Sequence, residues 1–363
     1  MSEQPAYQAL FLEAGPLMLC GVGQFARSLR DAIEKIHPGQ FNTISLTKTD
    51  GTVFDIWRVV GSTRSVVCNF PLVAWKRVIV RPLLALVIAR LRSRRVVLIQ
   101  HEWAGLHWLR RLTYIPALLL ADVIVMFSPL VRRELADDPL VGRLVRKCVF
   151  APLPPNIGTP PGVSDSPLRR KLAAARKNGR LVIGHFGSIY PGKQPEALLQ
   201  VGDILRARGA NPLLLYIGSF ISATDHVEDH FRRRVDELGM TEDVIVSGYI
   251  ASDPELFGVF SEVDAFCYPL AEGLTARRAS ILACAQSGRP VVVTSPAFPD
   301  EFDHHPRFRE LINHGAIVLV PFGSADTIYA EKILSALKTP SVHAVFDFDG
   351  WWLDVAQAVL SYL

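Results

Sequence analysis

Apolar and polar residues along this chain fall into two alternating patterns. In the first, short runs are apolar at nearly every position: 96–100, 121–127, 148–151, 181–186, 213–217, 244–247, 264–268, 291–293 and 316–320. Such runs predict strands buried on both faces, because a half-exposed strand would alternate. In the second, apolar residues recur at three- and four-residue spacing, as at Phe25, Leu29, Ile33 and Ile36. That spacing predicts helices with one buried face. Further helices are predicted over 195–208, from Ser128-Pro129 through Leu135, and from Asp253-Pro254-Glu255 onward. Another runs from Thr275, read as its cap, to Gly288, read as its stop. Strands are also expected early in the 7–20 run and near 42–47, 53–60 and 65–70. The segment 72–92 reads as a helix that Pro82 kinks or divides. Strand followed by helix throughout predicts an α/β fold built on parallel sheets.

The length of 363 residues allows two sizeable cores. Pro and Gly crowd residues 152–166, which marks a linker. The expected organisation is a first domain over 1–151, the linker 152–166, a second domain over 167–345 and a last helix within 346–363.

Charge changes this picture in one place. The formal net charge is only +4, yet eleven Lys or Arg face only Glu102 and Asp122 between Trp75 and Arg133. With its Leu, Val and Ile, the 72–92 helix has the mix of an interfacial helix resting on anionic lipid, or of a domain helix with a solvated basic face. No run is long and uncharged enough to span a bilayer. Five cysteines lie far apart with no Cys-x-x-Cys, as expected of reduced thiols in a cytoplasmic protein. No basic leader stands at the N-terminus. Nucleic acid is not an expected partner.

Candidate chemistry centres on residues 264–294. The loop Glu272-Gly273-Leu274-Thr275 sits where a strand ends and a helix begins. Free backbone N–H groups and the positive end of a helix dipole meet at such a point, and phosphate is the usual guest. Glu272 would repel phosphate but accept hydrogen bonds from sugar hydroxyls, so a diphosphate-linked sugar suits both halves. A second strand, glycine turn and helix is expected around Gly21 and Gly23. Ala26 can stand for the third glycine of a dinucleotide fingerprint, which keeps a nicotinamide enzyme open. That fingerprint wants an acidic residue about 20 positions on. The nearest, Asp50, precedes Gly51 and reads as a turn. His101-Glu102-Trp103 follows a buried strand, the end at which parallel sheets bind ligands. Three spots rich in Asp, Glu or His, at 225–230, 303–305 and 347–349, read as solvated surface rather than metal sites.

The central stretch resembles the donor-site signature of the retaining glycosyltransferases of family 4, which have the GT-B fold. Glu272-Gly273 and Gly288-Arg289-Pro290-Val291 match it in order and spacing, while the second Glu of the signature is Ser280 here. The resemblance implies two doubly wound, Rossmann-like domains facing a cleft, with the last helix, containing Trp351-Trp352, crossing back toward the first domain. It implies that Lys193 and the amides of Gly273, Leu274 and Thr275 bind the donor diphosphate. Ser188 stands where the family has a second cation, which Arg277 or Arg278 could supply. Gly218, Tyr249 and Ile250 are implied at the nucleotide, Ser280 at its ribose, Gly21 and Gly23 at the donor phosphate or acceptor, and Glu272 and His101 at the sugar. The function implied is retaining transfer of a hexose from a nucleotide sugar to a glycan or lipid-linked acceptor, with no metal or other cofactor. Attachment to the inner face of a membrane is a further expectation. Because Ser188 and Ser280 depart from the signature, a non-catalytic GT-B-like protein that binds a partner or membrane is the alternative.

Overall fold

The computed structural model describes residues 6–14, 21–46, 52–190, 193–221, 226–339 and 347–363. The chain divides into two units, Met1–Asn156 with Asp347–Leu363, and Ile157–Phe346.

The first unit is built on six parallel strands in the order β2-β1-β3-β4-β5-β6. They are β1 (Tyr7–Glu13), β2 (Phe41–Ser45), β3 (Thr63–Phe70), β4 (Arg95–Gln100), β5 (Val123–Met126) and β6 (Cys148–Phe150). Parallel neighbours need crossover connections, supplied by α1 (Gly21–Ile36), α2 (Val53–Gly61), α3 (Val80–Leu91), α4 (Trp108–Leu120) and α5 (Pro129–Ala136). Val96, Val97, Leu98 and Ile99 of β4 are fully buried, which is why that run carries no alternation.

Two expectations fail here. Residues 53–60 form α2, not a strand. The Thr52 hydroxyl accepts the Asp55 N–H while the Asp55 carboxylate accepts the Thr52 N–H, a reciprocal cap. Ile56 and Val60, four apart, then bury one helical face. Gly21 and Gly23 are not in a turn; both lie in the first turn of α1. The expected Asp50-Gly51 turn and residues 15–20 lie outside the described residues. The 72–92 segment is divided, as its proline suggested, into a short 3-10 turn at Val73–Arg77 and α3. Pro82 falls in the first turn of α3, where a missing N–H costs little.

The second unit has a six-stranded parallel sheet in the order β12-β11-β10-β7-β8-β9. Its strands are β7 (Leu181–Phe186), β8 (Pro212–Ile217), β9 (Val244–Val246), β10 (Ala265–Tyr268), β11 (Val291–Thr294) and β12 (Ile317–Val320). The helices are α6 (Pro167–Lys177), α7 (Pro195–Ala207), α8 (Val227–Glu237), α9 (Asp253–Ser261), α10 (Ala279–Gln286), α11 (Pro306–Asn313) and α12 (Asp326–Ala336). The chain runs outward from β7 through β8 to β9, then returns to β10 on the other side of β7. The order therefore reverses between β7 and β10, the point where doubly wound sheets bind ligands beyond their strand C-termini.

The last helix, α13 (Phe348–Leu360), belongs to the first unit. There Trp352 stands 5.5 Å from the Phe25 ring of α1, and Asp349 pairs with Lys35 at 3.2 Å.

Candidate active site

At the switch point of the second unit, β7 and β10 stop pairing after Gly184 and Phe266. The phenol of Tyr268 takes over. Its oxygen accepts the Phe186 N–H at 2.9 Å and its hydroxyl donates to the Phe186 carbonyl at 3.0 Å. One buried side chain thus satisfies the backbone at the end of β7 while the strands diverge. Beyond it the chain turns at Gly187, whose φ of +121° favours glycine. A Cβ there would also collide with Lys193 Nζ, and would lie 3.9 Å from Ser280 Cβ. Gly218, at the end of β8, is held against the Gly187 carbonyl just as closely. Gly187, Ser188, Lys193, Gly218 and Ser280 are therefore one cluster.

Lys193 is the unusual member. It is 8% exposed, and among the described residues no carboxylate pairs with it. The face of Tyr190 lies 5.7 Å from its Nζ. Burial, and then the charge of Arg278, pull its pKa from 10.5 down to about 8. His185 beneath it is buried, with Nδ1 3.2 Å from the Cys267 carbonyl oxygen. Burial, followed by the charge of Lys193, lowers its pKa to about 3. A buried, uncompensated cation beside a glycine turn has the chemistry of an anion site.

The loop after β10 departs from expectation in three ways. First, α10 begins at Ala279, so Thr275 does not cap it; the N-cap is Arg278, with no side-chain bond. The Thr275 hydroxyl is buried and has no hydrogen-bond partner among the described residues. Second, the Gly273 N–H donates to the Leu270 carbonyl and the Leu274 N–H to that of Thr294, at 3.2 and 3.0 Å. Two of the three amides assigned to the diphosphate are thus committed within the protein. Third, the Glu272 carboxylate is paired with arginines. Arg277 pairs with it at 3.3 Å, and Arg278 pairs with it as well. It remains 36% exposed at its side chain. Gly273, at φ +74°, would carry a Cβ only 2.5 Å from the Ser295 carbonyl oxygen, so the loop needs glycine there.

Sequence reasoning missed Tyr268, Glu301 and the anchoring of this loop. Glu301 is buried and accepts the Ala276 N–H at 2.9 Å. A tyrosine ending an otherwise apolar strand was the readable signal, because a buried phenol needs a partner. Tyr249 follows β9 and is 66% exposed, and Ile250 beside it is half-buried. A cavity of about 370 Å³ opens elsewhere, at the N-terminal ends of β10, β11 and β12, beside Asp264, Arg289 and Lys332. Asp264 and Arg289 there are already bonded to Val182 N–H and the Ser261 carbonyl. We give it no part in the site, because ligands of such sheets bind at the opposite strand ends.

In the first unit His101 follows β4. Its Nε2 lies 3.2 Å from Asn69 Oδ1, and Phe25, edge to face, and Phe127, tilted, pack against the ring with centroids at 5.1 Å. Burial lowers its pKa to about 3, so the imidazole is neutral. Nε2 then donates to Asn69, and Nδ1 is left as an acceptor. Gly21 and Gly23 belong to this unit as well.

Of the three supposed surface spots, Asp225 lies outside the described residues, while His226 is exposed and pairs with Asp229. His305 is buried, contrary to expectation, and caps α11 through Nδ1. Asp347 caps α13. Among the described residues no group of three or more His, Cys, Asp or Glu is placed to hold a metal.

No family model and no curated protein matches this chain. Solved structures share its fold. HepE of Anabaena, solved with UDP and also with UDP-glucose, superposes with a TM-score of 0.62 at 13% identity, over 98% of this chain and 94% of its own. Sucrose-phosphate synthase from Thermosynechococcus elongatus gives 0.58 at 15% identity, over 98% and 94%. WaaG, a glycosyltransferase involved in lipopolysaccharide biosynthesis, gives 0.53 at 12%, over 97% and 95%. With two parallel six-stranded sheets flanked by helices, this chain has the GT-B fold.

Proposed function

We propose that the protein is a glycosyltransferase that moves a hexose from a nucleoside diphosphate sugar to an acceptor hydroxyl. One observation carries the reading: Lys193, a buried cation with no carboxylate partner among the described residues, stands at the glycine turn beyond β7, at the switch point of the sheet. HepE, of similar fold, binds UDP and UDP-glucose, which supports a nucleotide sugar as the ligand. In this reading Lys193 holds the diphosphate and neutralises it as it leaves. Thr275 offers a buried hydroxyl on the loop after β10, and Ser280 stands at the ribose. Gly218, Tyr249 and Ile250 lie on the nucleotide side. Glu272, paired with Arg277 and Arg278, accepts sugar hydroxyls and steadies positive charge at the anomeric carbon. In the first unit, the lone pair on His101 Nδ1 is an acceptor suited to a hydroxyl of a substrate sugar.

Transfer proceeds with retention. The acceptor oxygen bonds to the anomeric carbon on the face from which the diphosphate oxygen departs, and its proton passes to that departing oxygen. No metal or other cofactor takes part, since the cations of the chain do the neutralising. Loss of activity in EDTA, restored by magnesium or manganese, would contradict this.

The acceptor is a glycan or lipid-linked saccharide of polysaccharide or glycolipid assembly, met at the inner face of a membrane. Three neighbouring helices support a lipid surface. Phe54 and Trp57 of α2, Val80 and Leu91 of α3, and Trp108 and Leu109 of α4 are exposed. Arg90, Arg92, Arg110 and Arg111 are interleaved with them. Aromatic and basic residues together suit an anionic lipid interface. Among the described residues no helix is long and apolar enough to cross a membrane.

A thermal-shift panel tests the function. Stabilisation by UDP or GDP supports it, followed by hydrolysis of one nucleotide sugar. Stabilisation by none of the nucleotides favours the non-catalytic alternative, which rests on Ser188 and Ser280.

A further inference from the structure

We propose that Arg278 is the second cation of the diphosphate site, in place of the one Ser188 lacks, and that Glu272 holds it until the donor enters. This rests on the function proposed above. A diphosphate carries at least two negative charges, and Lys193 alone leaves it under-neutralised. Ser188 is exposed, small and uncharged, so the charge must come from elsewhere.

Arg278 is placed to supply it. It is the N-cap of α10, two residues before Ser280, whose Cβ borders the Gly187 turn that Lys193 Nζ touches. The side chain is 13% exposed, yet it is thinly engaged. Its Nη2 pairs with Glu272, while its Nε is buried with no hydrogen-bond partner among the described residues. A guanidinium has five N–H donors in a planar fork that fits phosphate oxygens, so most of its capacity is unspent. The positive charge of Arg278 is also felt at Lys193 and at His185, the two buried groups under the turn.

The partner exchange balances charge. When a diphosphate arrives, Arg278 turns from one carboxylate to the phosphate oxygens. Glu272 keeps Arg277 and is released toward the sugar hydroxyls. Occupancy of the diphosphate site thereby prepares the residue that meets the sugar.

The test is titration of UDP and UMP, with GDP and GMP as a second pair, into wild type and variants. Arg278→Gln should lose about ten- to a hundredfold in diphosphate affinity, the worth of a charged hydrogen bond. Its monophosphate affinity should move less than about threefold. Adding Ser188→Arg to that variant should restore at least part of the loss. Glu272→Gln, which frees Arg278 without touching it, should tighten the diphosphate several-fold. Equal losses for diphosphate and monophosphate, or an unchanged Arg278→Gln, would overturn the assignment. So would a Glu272→Gln variant that binds no better than wild type. If wild type binds no nucleoside diphosphate, the donor site itself is refuted. If wild type and Arg278→Gln bind equally well while Lys193→Met does not bind, only the role of Arg278 falls.

Discussion

Replacing Lys193 with Met should make the protein more stable and worse at binding a diphosphate. In the folded chain the ammonium is nearly enclosed and has no carboxylate partner among the described residues, and its pKa drops from 10.5 to about 8. A lowered folded pKa on a basic group means that the unfolded chain binds the proton more tightly. At pH 7 both states carry the charge, and folding bears the whole difference. At about 1.4 kcal/mol per pH unit, the gap amounts to roughly 3 kcal/mol of unfavourable charge burial. Met keeps the length and removes the charge. For a unit the size of Ile157–Phe346, that gain corresponds to a Tm rise of roughly 6–12 °C. Differential scanning calorimetry at pH 7 measures it, and the difference between wild type and variant should shrink as pH rises from 8 to 10.5. Diphosphate affinity should fall at least about tenfold in the same variant, since a charge-assisted bond is lost. In wild type it should weaken above pH 8, as Lys193 deprotonates while the terminal phosphate, ionised near pH 6, stays constant. A variant that melts lower than wild type and binds UDP or GDP equally well would show a structural lysine and refute the reasoning.

Tyr268→Phe leaves the Phe186 N–H and carbonyl without the phenol that satisfies them, so it should cost about 2 kcal/mol in urea unfolding. His185 is buried with a folded pKa of about 3, below its ordinary 6.5. The unfolded chain therefore takes up a proton below pH 6.5 that the folded chain refuses, and stability declines from pH 6.5 toward 3. At pH 4.5 the loss from this group should be about 2–3 kcal/mol, and His185→Phe should flatten that part of the urea-midpoint profile. Flotation with anionic vesicles should recover the protein at low salt and lose it at high salt. A Phe54→Ser, Trp108→Ser variant should float poorly even at low salt, and wild type that never floats would exclude the lipid surface.

The strands were legible because sheets covered on both faces leave solid apolar runs, as β4 and β7 do. Residues 53–60 were misread because Val53, Ile56, Val59 and Val60 favour strands locally. The Thr52–Asp55 cap and the single buried face of Ile56 and Val60 decided otherwise. Helix α4 escaped notice because exposed Trp108, Leu109 and Leu112 blur its periodicity. Lys193 and the Glu272 loop could be located from glycine turns and strand ends. Their electrostatics could not. The proximity of Arg278 and Lys193 exists only once α10 meets the end of β7. The engagement of the Gly273 and Leu274 amides needs the Leu270 and Thr294 carbonyls, one of them twenty residues away in sequence. Thr275 looked like a cap because Thr before a helical run usually is one, but three more residues precede α10.

The most direct measurement compares Glu272→Ala with wild type in both donor turnover and equilibrium binding. Glu272 belongs to the loop after β10 and faces developing charge in the proposed reaction, so its loss should act on the transition state more than on the nucleotide. With whichever of UDP- or GDP-sugars wild type hydrolyses or transfers, the variant should turn over at least about a hundredfold more slowly. Its affinity for the nucleoside diphosphate should tighten by no more than a few-fold, because Arg278 is freed. A Glu272→Ala protein that keeps near-normal turnover would contradict the account and place the chemistry elsewhere in the fold.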